Sequence, residues 1–303
     1  MSTVADHQPA GAYDVSLPDD HPGASDPDYR ARRDAIARIG AAHVPGAAIP
    51  DVEYTAEEHA VWARVQAELS ELHRERACPA YLRGARALIL PTDRVPQLRE
   101  VDERVHALTG FHIDPVPGLV DTRTFYGALA ERRFLSTQYI RHHSVPHYTP
   151  EPDIVHEIIG HANMLADPVL ADLYEAAGHA SRRAESAEAL QFFSRVFWFT
   201  LEFGVVTEHS APKAFGAGIL SSFGELHTYA DPNLVDHRPF DLVAMGTTDY
   251  DITRYQPVLF RAGSTERLLD DLHHFFAGYD DEAFARLTDQ RPGRARADER
   301  TPR

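Results

Sequence analysis

The sequence predicts a single, mainly α-helical domain with a few short strands. Helix-start and helix-stop signals bound most segments with apolar periodicity. The sequence shows no internal repeat, no glycine-rich phosphate loop and no alternation of strands with helices, so nothing supports a Rossmann or phosphate-loop fold. The chain has 303 residues, 43% of them apolar, which is enough for one sizeable core.

The first two helices have clear start signals. DPDYRARRDAIARIGAAH predicts a helix from Asp26, with Ile36 and Ile39 as apolar positions, that ends before the Pro/Gly-rich VPGAAIP. A second helix is predicted from Thr55, because Thr55 and Glu58 form a capping box ahead of an apolar stripe. That stripe consists of Ala60, Val61, Val65, Leu69 and Leu72.

The remaining segments complete the predicted domain. Residues 113–125 mix prolines with β-branched residues, which indicates a short strand and loop, and helical signals dominate again after them. We expect a flexible N-terminal arm over residues 1–19, a catalytic domain over 20–280, and a helix end followed by a disordered tail over 281–303.

Composition narrows the classes of partner. A formal charge of −16 argues against nucleic acid, because phosphate binding needs a basic surface, and it favours a small-molecule substrate. No apolar run is long enough to span a bilayer and the start lacks the features of a signal peptide, so we predict no membrane partner and a cytoplasmic location. The single cysteine, Cys78, is interpreted as a small core residue.

Two histidines close the segment TPEPDIVHEIIGH, residues 149–161. The segment opens like a helix that Thr149 caps, with two prolines in the first turn and Gly160 as a stop. His156 and His161 are five residues apart, whereas the H-E-x-x-H motif of zinc proteases places its histidines four apart on one helix face. On an unbroken α-helix, five residues separate two side chains by about 140°, so we expect the helix to end at Gly160 and let both rings reach one ion.

An acidic residue in an aromatic segment is the candidate third ligand. Glu202 lies within QFFSRVFWFTLEFGVV, where a carboxylate is costly unless it is paired or bound to a cation. Two histidines and one carboxylate form the facial triad of non-haem iron(II) oxygenases. The spacing alone leaves open a structural histidine pair and an ion pair between Glu202 and Arg195.

The surrounding motifs resemble those of the pterin-dependent aromatic amino acid hydroxylases, the family of phenylalanine, tyrosine and tryptophan hydroxylases. The resemblance covers roughly residues 13 to 280 in order. It rests on TQYIRH (137–142), TPEPDIVHEIIGH (149–161), FWFTLEFG (197–204) and FGAGILSSFGEL (215–226), supported by DHPGASDPDYRARR (20–33) and PVPGLVDTRTF (115–125).

The resemblance implies a role for individual residues. His156, His161 and Glu202 would hold iron(II). Arg141 would bind the substrate carboxylate, with Thr149 and Asp153 fixing its guanidinium. Ser221 would steady His156 or the substrate carboxylate. Trp198 and Phe203 would form walls of the substrate site. A tetrahydropterin would stack on Phe125, with Glu157 beneath it. The edge of the pterin would hydrogen-bond to the main chain of Gly118, Leu119, Val120 and Thr122. For Ser221, Trp198 and Phe203, ordinary core packing is the alternative.

The implied activity is hydroxylation of the ring of a free aromatic amino acid, with iron(II), a tetrahydropterin and O2. Phenylalanine 4-hydroxylation is the leading hypothesis, with tryptophan hydroxylation or phenylalanine 3-hydroxylation for secondary metabolism as the alternative. A zinc hydrolase and a catalytically inactive binding paralogue are the distant alternatives. The motif pattern favours a bacterial-type, unregulated catalytic domain that is a monomer or dimer.

Two further positions carry expectations from the resemblance. Tyr13 would belong to a mobile segment that closes over the site. Arg261 stands where the family has a small apolar residue near the substrate, so it would alter the substrate or its orientation if its side chain faces the cavity.

Overall fold

Helices dominate the computed structural model, which describes residue 17, residues 21–252 and residues 254–289. The α-helices are α1 Pro22–Ser25, α2 Pro27–Ala42, α3 Ala56–Arg76, α4 Pro79–Leu88, α5 Leu98–Thr109, α6 Thr122–Leu129, α7 Asn163–Leu165, α8 Pro168–Arg183, α9 Ala187–Phe197, α10 Ala217–Leu220, α11 Phe223–Thr228, α12 Leu242–Thr247, α13 Thr265–Gly278 and α14 Asp281–Asp289. Two π-helical segments, π1 His156–Ala162 and π2 Trp198–Glu202, continue into α7 and follow α9 respectively. The mainly α-helical prediction is confirmed.

The strands are short and form two small sheets. They are β1 His112–Pro115, β2 Arg133–Ser136, β3 Val205–Glu208, β4 Ala211–Ala214, β5 Asp236–Pro239 and β6 Val258–Ala262. Strands β1 and β2 pair in parallel, with Ile113 opposite Phe134. The other four run in the order β4-β3-β6-β5, and only β3 and β4 pair antiparallel. Strand β1 begins within one residue of the strand predicted over 113–125, and α6 takes the end of that segment.

The predicted starts of the two N-terminal helices, α2 and α3, are confirmed by their capping residues. The Asp26 carboxylate accepts hydrogen bonds from the first turn of α2, and Thr55 and Glu58 form the predicted capping box of α3. One position of the apolar stripe was wrong, because Ala60 is exposed and the fully buried Trp62 takes its place in the core. The Trp62 indole is satisfied there by donating to the Pro91 carbonyl at 2.9 Å.

One continuous core joins the helices to both sheets. Aromatic rings are its largest components, and several lie at the end of α9 and the start of π2, where Phe193, Phe197 and Phe199 are at most 1% exposed. This packing buries the end of α9 and therefore fixes π2, which follows it directly. Cys78 is buried in the same core, and burial raises the pKa of its thiol to about 11, in agreement with a packing role.

Several expectations concern the ends of the chain. Most of the predicted arm over 1–19 and most of the predicted tail lie outside the described residues, as does Tyr13. The domain boundaries therefore stay predictions. Among the described residues, no helix combines the length and the apolar character that a bilayer crossing requires.

Candidate active site

A cavity of about 440 Å³ opens among π1, π2, α6, α10 and the loops between them. Most of the sequence-predicted site residues line it. They are Gly118, Leu119, Val120, Thr122, Phe125, Arg141, Thr149, His156, Glu157, His161, Trp198, Glu202, Phe203 and Ser221. Asp153 lies behind this wall, fully buried. These residues, which are up to 103 positions apart in the chain, thus line one cavity.

Three side chains of this wall converge on one point. His156, His161 and Glu202 are the only group in the described part of the chain whose arrangement could hold a metal ion, with ligand atoms within 4.8 Å of one another. The Nε2 atoms of the two histidines are 3.0 Å apart. Carboxylate oxygens of Glu202 lie 3.1 Å from the Nε2 of His161 and 3.8 Å from that of His156. The alternative partner Arg195 pairs with Asp249 instead.

The helix that carries the histidine pair differs from the sequence prediction. It begins at Ile154, with Asp153 accepting from the His156 amide at 3.2 Å, so Thr149 does not cap it. It does not end at Gly160 either, because it widens into π1 and continues as α7. In a π-helix the hydrogen bonds run from residue i to i+5, so residues five apart lie one turn apart on nearly the same face. This widening is what brings the two rings together.

Gly160 has another function in the structure. A Cβ at this position would lie 2.9 Å from the carbonyl oxygen of Ala217 and 3.2 Å from its Cβ. The missing side chain therefore allows α10 to pack closely on π1. That close approach brings Ser221, at the end of α10, next to His156.

The hydroxyl of Ser221 fixes the tautomer of His156. Ser221 Oγ donates to the Ala217 carbonyl at 2.8 Å, so it accepts the hydrogen bond from His156 Nδ1 at 2.9 Å. His156 Nε2 then carries a lone pair directed at the convergence point. Burial, with a smaller contribution from His161, lowers the pKa of His156 to about 4, which keeps this imidazole neutral.

The charges at the convergence point fit a bound cation. Burial would raise the pKa of Glu202, but the two imidazoles, chiefly His161, outweigh burial and hold that pKa below its usual range. Burial alone would lower the pKa of His161, and the Glu202 carboxylate more than reverses this. A buried carboxylate that faces two imidazole nitrogens requires a positive charge, which a metal ion would supply without a proton.

A buried ion pair lies behind the cavity wall. The Asp153 carboxylate accepts from Arg141 Nε at 2.9 Å and Nη2 at 2.8 Å, and both side chains are at most 3% exposed. It also accepts from the Arg141 main-chain amide at 2.8 Å. The guanidinium is therefore held rigidly at the cavity surface, which suits recognition of a substrate carboxylate.

Thr149 is placed differently from the prediction. The second partner of the Arg141 guanidinium is the Pro146 carbonyl, which accepts from Nη1 at 3.3 Å. The Thr149 hydroxyl accepts from the Glu151 amide at 3.5 Å, a marginal contact, and Thr149 lines the cavity. The structure therefore supports Asp153, and not Thr149, as the residue that fixes the guanidinium.

Phe125 and Glu157 lie on the wall predicted for the pterin. Phe125 is half-buried and packs edge-on against Phe134, at 5.7 Å between ring centroids. Glu157 accepts from the amide and hydroxyl of Thr137 at 3.3 and 3.4 Å. Burial raises the pKa of Glu157 to about 8, which favours the protonated form that can donate a hydrogen bond.

The aromatic wall includes residues that the sequence did not indicate. Trp198 lies 4.5 Å from Phe203 and stacks on Tyr250 at 4.2 Å between ring centroids, with only 8° between the planes. Gln256 accepts from the Trp198 indole at 3.1 Å and donates to the Asp251 carbonyl at 2.9 Å. Because Tyr250 and Gln256 lie more than 50 positions from Trp198 and follow no local pattern, the sequence carried no signal for these two residues.

Arg261 does not reach the cavity. It is exposed on β6, is absent from the lining of the cavity, and its main chain pairs with Val205. The condition under which it would alter the substrate is therefore not met.

Comparisons with known proteins agree with this geometry. A sequence profile of the family described as biopterin-dependent aromatic amino acid hydroxylase matches residues 6–285. The chain belongs to this family. The family assignment made from the motifs is confirmed, and with it the class of enzyme, a pterin-dependent aromatic amino acid monooxygenase.

Individual relatives of this hydroxylase include enzymes named for two ring positions. This chain is 44% identical over 267 residues to phenylalanine 3-hydroxylase of Streptomyces coeruleorubidus, and the match covers 88% of this chain and 95% of that protein. It is 46% identical over 214 residues to a chloroplastic phenylalanine 4-monooxygenase of Pinus taeda, which covers 71% of this chain and 60% of that protein. The hydroxylase thus spans nearly all of the first relative and about three-fifths of the second.

Solved structures give the same result for the fold. Phenylalanine hydroxylase from Chromobacterium violaceum with bound oxidised iron(III) superposes with a TM-score of 0.74 and 33% identity, over 88% of this chain and 98% of that one. The same protein with bound iron(III) and 7,8-dihydrobiopterin gives a TM-score of 0.72 and 32% identity, over 88% and 97%.

Proposed function

We propose that this hydroxylase binds iron(II) and a tetrahydropterin and uses O2 to hydroxylate the ring of free phenylalanine, at C4 in the leading hypothesis. The observation that carries the proposal is the convergence of two imidazole nitrogens and one carboxylate on a cavity that Arg141, paired with the buried Asp153, also lines. The donor set is that of iron(II) oxygenase sites. Iron and the reduced pterin would supply the electrons that activate O2.

The residues of the chain position the reactants. His156, His161 and Glu202 would hold the metal, and Arg141, kept in place by Asp153, would bind the carboxylate of the amino acid. Trp198 and Phe203 would confine its ring and exclude water. The pterin would lie between Phe125 and the main chain of residues 118–122. A protonated Glu157 would donate a hydrogen bond to it.

The ring position follows from how the substrate is anchored. When the carboxylate is bound at Arg141, C4 is the ring atom farthest from the anchor, so a ring that points toward the metal presents C4. A small shift of the ring presents C3 instead. The 44% identity to phenylalanine 3-hydroxylase over nearly its full length supports C3 as the second candidate. Tryptophan is the third candidate substrate, and the product assay distinguishes it.

Turnover with product identification tests the proposal. Apoprotein is loaded anaerobically with iron(II), and O2 consumption is measured with a reduced pterin and phenylalanine, tryptophan or tyrosine. Chromatography with mass detection then compares the product with 3-hydroxyphenylalanine and tyrosine standards. One hydroxylated amino acid would support the assignment and give the ring position. Pterin oxidation without any hydroxylated product would contradict the substrate, and iron binding without reaction would contradict the function.

A matched pair of variants ties turnover to the metal site. His156→Ala removes one proposed ligand, and we expect no hydroxylated product and loss of bound iron. His179→Ala removes an exposed histidine of α8 and should retain both. Metal analysis of the wild-type protein separates the iron site from a zinc hydrolase, and product formation separates it from an inactive paralogue.

We also propose a cytoplasmic location, a catalytic unit over residues 20–280 and a monomeric or dimeric state. Light scattering on the full chain tests the last of these.

A further inference from the structure

His161 has a hydrogen-bond partner that no motif indicated. Its Nδ1 lies 2.8 Å from the hydroxyl of Tyr174, which belongs to α8, thirteen positions farther along the chain. Tyr174 is fully buried and its hydroxyl also donates to the sulfur of Met164 at 3.4 Å. With its single proton directed at the sulfur, the phenolic oxygen accepts the hydrogen bond from His161 Nδ1.

This hydrogen bond determines which nitrogen of His161 faces the convergence point. When Nδ1 carries the proton, Nε2 has a free lone pair, which is the form that binds a metal. The arrangement repeats that of His156, whose Nδ1 donates to a hydroxyl that itself donates elsewhere. Each imidazole therefore has its own hydroxyl acceptor, one on α8 and one at the end of α10.

The ring of His161 is also held from both sides. Phe134 packs against it at 4.7 Å between ring centroids, and Tyr174 meets it edge-on at 5.9 Å. Tyr174 in turn packs edge-on against Phe197 at 6.0 Å. Because the phenol is fixed by these contacts, its hydroxyl cannot move away from His161 without disturbing the core.

We propose that Tyr174 is a positioning residue that sets the tautomer and the ring orientation of His161 for metal binding. The inference rests on the proposed metal site. Groups that hydrogen-bond to the outer nitrogen of a ligating histidine typically change metal affinity or activity by about 10–100-fold when removed. Tyr174 would supply this interaction from a hydroxyl, without adding a charge next to the ligands.

A buried tyrosine elsewhere in the core gives the control. The hydroxyl of Tyr279 donates to the Ala189 carbonyl at 2.7 Å, in the same core and away from the three candidate ligands. Tyr279→Phe and Tyr174→Phe each remove one buried hydroxyl and keep the ring. Both should lower the denaturation midpoint of the apoprotein, but only Tyr174→Phe should change metal binding.

The experiment measures affinity of the full-length apoprotein for iron(II), and for cobalt(II) as a stable substitute, by anaerobic competition with a chelator. We expect Tyr174→Phe to weaken binding by about 10–100-fold and to alter the visible spectrum of bound cobalt, with Tyr279→Phe within about twofold of wild type. Equal affinity of Tyr174→Phe and wild type, or equal losses in both variants, would overturn the inference. Absence of metal binding in the wild type would overturn the proposed site itself.

A second variant applies if Tyr174→Phe does not fold. Met164→Leu removes the sulfur that accepts the Tyr174 hydroxyl proton. That proton can then turn toward His161 Nδ1 and oppose the hydrogen bond that Nδ1 donates. We expect several-fold weaker metal binding, and unchanged affinity in this variant would overturn the inference as well.

Discussion

The pair formed by Arg141 and Asp153 gives the sharpest test of how the substrate site is built. Asp153→Asn keeps the size of the side chain but removes the charge that faces a guanidinium only 3% exposed. Breaking a buried ion pair by neutralising one partner costs about 3–5 kcal/mol, because the other charge stays buried. The Asp153 carboxylate also accepts from the His156 amide at 3.2 Å, and Asn keeps a side-chain oxygen that can accept there, so the loss is assigned to the ion pair and not to the helix cap.

A double-mutant cycle separates the pair from its surroundings. The free energy of unfolding is measured by chemical denaturation, without metal, for the wild type, Asp153→Asn, Arg141→Gln and the double variant. We expect each single change to cost about 3–5 kcal/mol and the double variant to cost at least about 2 kcal/mol less than their sum. In turnover assays both single variants should raise KM for the amino acid more than they lower kcat.

The result that would refute this reasoning is additivity. If the two single losses add to within about 0.5 kcal/mol, the side chains do not depend on each other. In that case Asp153 could not be the residue that fixes the guanidinium.

Two further predictions concern packing and pH. Gly84→Ala should lower the free energy of unfolding by more than about 2 kcal/mol, because a Cβ there would lie 1.8 Å from the carbonyl oxygen of Asn163. Gly127→Ala, where the nearest atom is 3.9 Å away, should instead stabilise by about 0.5–1 kcal/mol, and equal effects of the two in chemical denaturation would contradict the packing. Burial raises the pKa of Glu225 from its usual value of 4.5 to about 7 in the folded protein. The folded protein therefore binds this proton more tightly than the unfolded chain does, and the free energy of unfolding falls as pH rises from 4.5 to about 7. Relative to Glu225→Gln, the free energy of unfolding of the wild type should fall by up to about 3 kcal/mol between pH 4.5 and pH 8. A difference between the two proteins that stays constant over these pH values in denaturation experiments would refute the prediction.

Local signals explain what could be predicted from the sequence. The caps at Asp26 and Thr55 are short-range hydrogen bonds, and the sequence places both helix starts correctly. The spacing of His156 and His161 and the aromatic setting of Glu202 indicated a shared site, and the three residues do meet. Each of these features depends on residues within a few positions of one another or on motifs that carry the family resemblance.

The features that were missed depend on the main chain or on distant contacts. A π-helical turn is a choice of hydrogen-bond register, which residue preferences do not reveal, so the sequence suggested a helix end at Gly160 instead. Tyr174 of α8 meets His161 of π1 across thirteen positions, and Tyr250 meets Trp198 across 52 positions. Such contacts follow from tertiary packing.

The widened turn of π1 has a consequence for how metal motifs are distinguished. A π-helical turn corresponds to an α-helix into which one residue has been inserted. Deletion of a single codon, such as that of Ile158, would place the two histidines four apart on a regular α-helix, where they again share a face. Residues beyond the turn, including Asn163 at the start of α7, would stay on nearly the same face, because the widened turn absorbs the extra residue. The histidine spacing of zinc proteases and that of this candidate iron site thus differ by one inserted residue. The chemistry then depends on which residue supplies the third ligand.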